Sequence, residues 1–131
     1  MRMNKNYFFQ ISTDPDVDAR KCAVAMACAA QAVADGHSVS VFFASHAVKL
    51  LHRDFIENMD KNVSQEPGFC LEILKELIRG AELFCSTGSQ AVLGVTPENG
   101  TEVLVEGLDL NWSGPPGVIA LSADADVSLS Y

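Results

Sequence analysis

The sequence predicts an α/β fold in which a mostly parallel sheet is covered by helices. Two observations carry this prediction. Short apolar segments rich in branched and aromatic residues recur along the chain, and segments with helical periodicity lie between them. Strands that alternate with helices are typical of an α/β layer with parallel strands. The length of 131 residues fits one domain, which we assign to residues 1–131.

The first half of the chain predicts two strand–helix pairs. An aromatic and branched run predicts the first strand, and the turn after it supplies Asp14 as a helix N-cap and Pro15 as the first helical residue. The helix that follows is apolar nearly all round, which favours burial on two sides, and it ends at Gly36. The predicted elements are a strand over residues 7–12, a helix over 16–35, a strand over 38–43 and an amphipathic helix over 47–58.

The second half predicts a further helix, the strand that ends in Cys85, and a closing strand. The helix has an apolar stripe that includes Leu74 and Leu77 and stops at Gly80. Pro115 follows a Ser-Gly pair and begins a short helix. The predicted elements are a loop over residues 60–68, a helix over 69–79, a strand over 81–85, a turn and short helix over 86–93, a loop over 96–101, one or two strand pieces within 103–112, a short helix from 113 and a strand over 127–131.

Composition and charge exclude several classes of partner. The net charge is −8, and the nine Lys and Arg residues are scattered, so the basic patch of a nucleic-acid-binding protein is missing. No segment approaches the ~20 apolar residues of a membrane span, and the apolar run after the basic start is too short for a signal peptide. Apolar residues make up 48% of the chain, which is high for a small monomer. We therefore expect a cytoplasmic homo-oligomer with reduced thiols.

Cys85 is the residue most suited to chemistry. It closes a strand-like run and is followed by a small polar segment that opens onto a short helix. Unpaired N–H groups at a helix N-terminus favour negative charge and can lower a thiol pKa from ~8.5 into the range ~3.5–7.5. The sequence therefore predicts a reactive thiol at Cys85. The candidate residues around it are Ser86, Thr87, Gly88, Ser89 and Gln90.

Several known types of site are excluded by missing residues. A dinucleotide or nucleotide site needs a glycine-rich turn after the first strand, where this chain has Thr13-Asp14-Pro15-Asp16. A cysteine phosphatase needs Arg at the position of Ala91, and a dithiol redox motif needs Cys at Gly88. No Cys/His pair has the spacing of zinc ligands. We expect no integral cofactor and no metal.

The other thiols, the histidines and the tryptophan have weaker claims to function. Cys22 and Cys28 lie on one helix about 9 Å apart, beyond the ~7 Å limit for a disulfide, and are expected to be buried structural residues. Cys70 is expected in the core as well, although it is the one plausible second thiol. His46 ends the second strand and is a candidate to steady a thiolate at the same sheet edge. Trp112 is equally well explained as a subunit contact, a loop anchor or a substrate shelf.

Several segments together resemble one protein family. They are the first strand, acidic turn and Ala-rich helix (residues 7–37), the second strand and the helix after it (39–51), Leu83-Phe84-Cys85-Ser86 followed by Leu93-Gly94-Val95, and the closing segments 104–108 and 124–129. This arrangement resembles the DsrE/DsrF-like family, which includes the TusD-type sulfur-relay subunits.

The resemblance implies a fold, an assembly and an activity. The fold would be three-layered α/β/α with about five mostly parallel strands, assembled as a homotrimer or homohexamer. Cys85 would carry sulfane sulfur as a transient persulfide, received from a donor protein and passed to an acceptor protein. One departure is that Gln90, Ala91 and Val92 occupy a stretch where some relay subunits have arginines.

Three functional hypotheses follow. The leading one is a sulfur carrier or sulfurtransferase that uses Cys85. The second is a non-catalytic oligomeric binding module in which the turn over residues 13–18, His46, the segment 86–90 and Trp112 hold a small ligand or a partner chain. The third is a thiol sensor in which Cys85 is oxidised and then resolved by Cys70 or by a neighbouring subunit.

Overall fold

Five parallel strands form one sheet in the order β4–β3–β2–β1–β5 in the computed structural model, which describes residues 4–131. The strands are β1 (Asn6–Ile11), β2 (Ser38–Phe43), β3 (Glu82–Ser86), β4 (Leu110–Ser113) and β5 (Val127–Ser130). The helices are α1 (Ala19–Ala34), α2 (Arg53–Asn58), α3 (Phe69–Gly80), α4 (Thr87–Val92), α5 (Gly100–Val103) and α6 (Pro115–Asp124), with 3₁₀ helices at Ser45–Leu51 and Asp60–Val63. The predicted α/β class with a parallel five-stranded sheet is confirmed.

The two faces of the sheet are covered unequally. Alternate residues of β1 and β2, such as Phe9 and Phe43, point into the main core against α1 and α3. The opposite face carries Phe8 and Phe42, which are also buried, and lies under α6. None of the residues of α6 is buried, and Ile119 is 69% exposed. The described chain thus has one thick core and one thinly covered face.

The first helix begins later than predicted. Asp18, not Asp14, is the N-cap of α1, and its side chain accepts a hydrogen bond from the Lys21 amide at 3.1 Å. The Asp14 side chain instead accepts a hydrogen bond from the Asp16 amide at 2.9 Å, which holds residues 14–17 in a turn. The prediction of Asp14 and Pro15 as the helix start is therefore wrong.

The expected burial of α1 on two sides is also wrong for the single chain. One side packs on the sheet and α3 and includes the buried Cys22 and Met26. On the other side Val24 is 52% exposed and Cys28 is exposed, so the prediction that Cys28 is buried does not hold. The Ala-rich sequence made the two sides alike, and within residues 4–131 the second side stays largely exposed, with Tyr131 hydrogen-bonded to Cys28 there.

The predicted helix over residues 47–58 is divided in two. A 3₁₀ helix precedes His52 and α2 follows it, because the backbone of His52 is extended and pairs with Leu104. The amide of Val105 donates to the carbonyl of Leu51 at 2.9 Å, which fixes the same break.

Across residues 4–131, every helix is too short or too polar to cross a membrane.

The contact of α1 with α3 depends on Gly80, and we expect this position to tolerate no methyl group. A Cβ atom at Gly80 would overlap the side chain of Val33, whose branched χ1 is stiff, whereas a Cβ at the exposed Gly88 would meet nothing within 4 Å. Gly80→Ala should therefore lower the free energy of unfolding by about 1–3 kcal/mol through overpacking. Gly88→Ala, inside α4, should raise it by about 0.5–1 kcal/mol. Urea unfolding of both variants measures the difference, and equal stabilities would contradict the packing described here.

Candidate functional site

Cys85 lies at the carboxyl end of β3, between Phe43 of β2 and Trp112 of β4 in the register of the sheet. Its side chain belongs to the main core and is 0% exposed. The Sγ atom lies 3.8 Å from the carbonyl oxygen of Ser86, a weak S–H donor contact. The thiol is thus at the predicted sheet edge but turned inward.

Burial raises the pKa of the Cys85 thiol to about 11, and a side-chain hydrogen bond with Gln90 offsets part of that rise. The sequence predicted that the amides at the start of α4 lower the pKa of Cys85. That prediction is wrong for the structure, in which the thiol is buried. The Ser89 amide is already taken, because it donates to the hydroxyl of the N-cap Ser86 at 3.2 Å. Desolvation therefore dominates the acidity of the thiol.

The segment after Cys85 closes over the end of the sheet. The Thr87 hydroxyl donates to the carbonyl of Ser113 at 3.3 Å, which ties α4 to the end of β4. The Ser89 hydroxyl accepts from the amide of Ser45 at 2.9 Å, which ties α4 to the loop after β2. Thr87 and Gly88 are exposed. These contacts hold α4 against the end of the sheet next to Cys85, and we call α4 the cover of this thiol.

Gln90 is fully buried and lies in the centre of a polar chain. Its Oε1 lies 2.8 Å from Nε2 of His52, and its Nε2 donates to the carbonyl of Val48 at 3.3 Å. Gln90 was predicted among the substrate- or partner-binding residues, and with its side chain fully buried that role stays a prediction. The amide connects the interior, at Cys85, to the half-buried His52.

His46 and Ser89 share a small cavity of about 140 Å³, which Ser45, Val92 and Leu93 also line. His46 is exposed, and Ser45 has a left-handed backbone with φ of 54°. A non-glycine residue at positive φ carries a modest energetic cost, which the bond to Ser89 helps to offset. His46 thus lies beside the cover of the thiol rather than at the thiol.

Trp112 lies next to Cys85 in the sheet but opens onto a different cavity. That cavity has a volume of about 680 Å³, and Gly100, Leu104 and Arg53 are among its lining residues. The indole is half-buried and packs against the main core. Trp112 and the segment 86–90 therefore line separate cavities.

The remaining cysteines are free thiols in different settings. Burial raises the pKa of Cys22 to about 12. Burial and a hydrogen bond with Asp60 raise the pKa of Cys70 to about 12. Asp60 is itself buried and accepts from the amides of Gly68 and Cys70 at 2.9 and 2.7 Å, so it organises the start of α3. Cys70, the predicted resolving thiol, is thus held protonated in the core.

Two polar groups at this end of the sheet were not predicted. Lys49 Nζ lies 3.0 Å from Asp14 and 2.8 Å from Asp16, an ion-pair cluster that joins the loops after β1 and β2. The sequence could have predicted this cluster, because carboxylates that follow one parallel strand and a lysine that follows the next lie at the same edge of the sheet. His52 was missed as the partner of Gln90.

Within residues 4–131, no group of three or more His, Cys, Asp or Glu side chains could hold a metal ion.

Comparisons with known proteins agree with this architecture. The sequence profile of the DsrE/DsrF-like family matches residues 5–131. The chain belongs to the DsrE/DsrF-like family. Its fold is similar to that in the crystal structure of the ychN protein from E. coli, with a TM-score of 0.64 and 17% identity over 98% of this chain and 100% of that chain. No curated protein matches the chain. The resemblance indicated by the sequence segments is confirmed.

The cover over Cys85 predicts a clear order of thiol reactivity in the native protein. Iodoacetamide should label the exposed Cys28 fastest, and the buried Cys85 should react slowly. Ser89→Ala removes the bond to Ser45 and should speed labelling of Cys85 roughly two- to tenfold, the worth of one ordinary hydrogen bond. Ser122→Ala, at an exposed serine of α6, is the matched control. Peptide mass mapping gives the rate at each cysteine, and a rate at Cys85 unchanged by Ser89→Ala would contradict this role of α4.

Proposed function

We propose that the protein is a sulfur-relay protein in which Cys85 accepts sulfane sulfur as a persulfide and passes it on. Membership in the DsrE/DsrF-like family supports a sulfur-relay-type role at the level of the family. The observation that carries the residue assignment is the position of Cys85. It is the cysteine that lies at the end of a strand directly before the helix N-cap Ser86, and the side chain of Gln90 lowers its pKa.

The transfer needs no cofactor. The Cys85 thiolate attacks the terminal sulfur of a donor persulfide, one S–S bond forms at Sγ, and the donor's S–S bond breaks with its electron pair leaving on the donor thiolate. The acceptor thiolate then attacks the terminal sulfur on Cys85 in the same way, which returns the Cys85 thiolate. Each step exchanges one S–S bond for another, so no external oxidant or reductant is required.

The proposal requires that α4 moves when the donor arrives, because Sγ is closed to solvent. Within residues 4–131, four side-chain bonds fasten α4. Those from Thr87 to Ser113 and from Ser45 to Ser89 involve exposed groups, whereas the two of Gln90, with His52 and Val48, involve a buried amide and must also break. Each exposed bond contributes only about 0.5–1.5 kcal/mol, since water replaces it when it breaks, and the buried Gln90 amide must find water or another partner as α4 moves. Docking of a partner protein on α4 can supply that energy.

The proposal includes self-association as a homotrimer or homohexamer in the cytoplasm. Large apolar side chains are exposed on separate elements of the single chain, and self-association is a common way to cover such surface. They include Val17 at 83%, Val24 at 52%, Val92 at 83% and Ile119 at 69%. Val92 belongs to α4, so an assembly that covers it would also act on the cover of Cys85.

We expect Cys85 to gain one sulfur atom when the reduced protein is incubated with a small persulfide donor. Because Cys28 is exposed and would react as well, the test uses Cys28→Ser as the parent protein. Peptide mass mapping should place the added sulfur on Cys85, and the Cys28→Ser/Cys85→Ser double variant should gain none. A parent protein that gains no sulfur on Cys85, or a double variant that gains as much as the parent, would falsify the relay.

A second candidate function is a non-catalytic oligomeric binding module. The full burial of Cys85 and the rise of its pKa to about 11 favour it, because an inert core thiol has these properties. The sulfur-transfer experiment above decides between the two candidates. A Cys85 that gains no sulfur, in a protein that remains folded and oligomeric by light scattering, supports the binding module.

A further inference from the structure

Cys85 and Gln90 occupy two positions at the start of α4 where helices often have two apolar residues in contact. Ser86 is the N-cap of α4, so Cys85 is the residue before the cap and Gln90 is the fourth residue of the helix. Apolar residues at these two positions form the hydrophobic staple, which fixes how the chain enters a helix. Here the pair consists of a thiol and an amide, and both are fully buried.

An amide at this position has a cost that packing alone does not explain. Burying a primary amide is unfavourable unless its polar atoms are paired, whereas Leu or Met would form the staple without that requirement. Every polar atom of Gln90 has a partner in the described chain. The chain therefore maintains a specific set of contacts around one core amide.

Those contacts fix the orientation of the amide. Gln90 Oε1 can only accept, so His52 Nε2 carries the proton that joins them across 2.8 Å. Gln90 Nε2 donates one hydrogen to the Val48 carbonyl at 3.3 Å. A flipped amide would set Oε1 against that carbonyl, two acceptors facing each other. The second Nε2 hydrogen remains available, and Cys85, at the paired position before the N-cap, is the residue whose pKa Gln90 lowers.

We propose that Gln90 donates a hydrogen bond to the anionic sulfur of Cys85, and that His52 is a positioning residue that holds the Gln90 amide in the orientation this requires. The inference rests on the proposed role of Cys85 as a sulfur carrier and names the groups that stabilise its thiolate or persulfide. Hydrogen bonds from N–H groups to charged acceptors are stronger than those to neutral ones, so the contact favours the anion. The lowering effect of Gln90 on the Cys85 pKa agrees with this direction.

The surroundings contain no competing charge. Among residues 4–131, burial and Gln90 are the two influences on the pKa of Cys85, so no charged side chain acts on it. His52 is the titratable group that reaches the sulfur, and it does so through Gln90. Its charged sequence neighbours Arg53 and Asp54 form an exposed ion pair at 3.6 Å.

The test replaces the amide by an apolar side chain that preserves the staple. In protein labelled with ¹³C at the cysteine Cβ, Gln90→Met should reduce the fraction of Cys85 thiolate at pH ~10 about tenfold, one unit of pKa, because the donor is lost. Gln31→Met, at an exposed glutamine of α1, is the matched control and should change nothing. A Cys85 titration that is the same in Gln90→Met and in the wild type would overturn the proposal.

Substitutions at the half-buried His52 keep the test decisive if Gln90→Met does not fold. His52→Leu should shift the Cys85 titration upward, since the amide is no longer held, and His52→Gln should restore it by supplying another N–H donor. Imidazole ¹⁵N shifts should show the proton of His52 on Nε2 in the wild type and a mixture of tautomers in Gln90→Met. Equal titrations in His52→Leu and the wild type would refute the positioning role. These measurements involve no sulfur donor. A protein that does not transfer sulfur can therefore still show the effect of Gln90 on the Cys85 titration, and the two proposals can fail separately.

Discussion

The parallel register of the central strands is the constraint on which the rest of the site depends. Phe43 is the last residue of β2, and it pairs in one row with Cys85 and Trp112, each one residue before the end of its strand. The loops that follow must therefore meet at one edge of the sheet. The 3₁₀ helix after β2 and the short helix after β3 therefore pack against each other, and the Ser45–Ser89 hydrogen bond closes that contact. The cover over the thiol is a direct consequence of strand order rather than a separate device.

Much of this fold was predictable because hydrophobic pattern is a local signal. Strand β2 was predicted with its observed bounds, and α3 to within one residue, since its apolar stripe is strong. The start of α1 was not, because Asp14 and Asp18 are both good N-caps, and in the structure Asp14 instead binds the Asp16 amide and the distant Lys49. Tertiary contacts also decide the break at His52, where pairing with Leu104 interrupts a helical pattern.

The site was predictable in position and not in chemistry. The sequence placed Cys85 at a strand end before a helix, which is correct, but local context predicted an activated thiol. The acidity of a thiol depends on how much water reaches it, and that depends on whether α4 folds back over the strand end. The partnership of Gln90 with Cys85 was open to prediction, because the staple spacing follows directly from Ser86 as the N-cap. Its link to His52 required the packed structure.

Burial and acidity at Cys85 depend on the same helix, which gives the proposed relay a built-in order of events. Burial is the larger influence on the thiol and raises its pKa, while Gln90 lowers it by less. In the proposed relay, movement of α4 would remove both influences together, so that the sulfur would become reachable as its pKa falls. The return of α4 would then shield a persulfide on Cys85 from solvent thiols and place it beside the Gln90 amide. On this proposal, the closed arrangement would suit storage of sulfur and an open one its transfer.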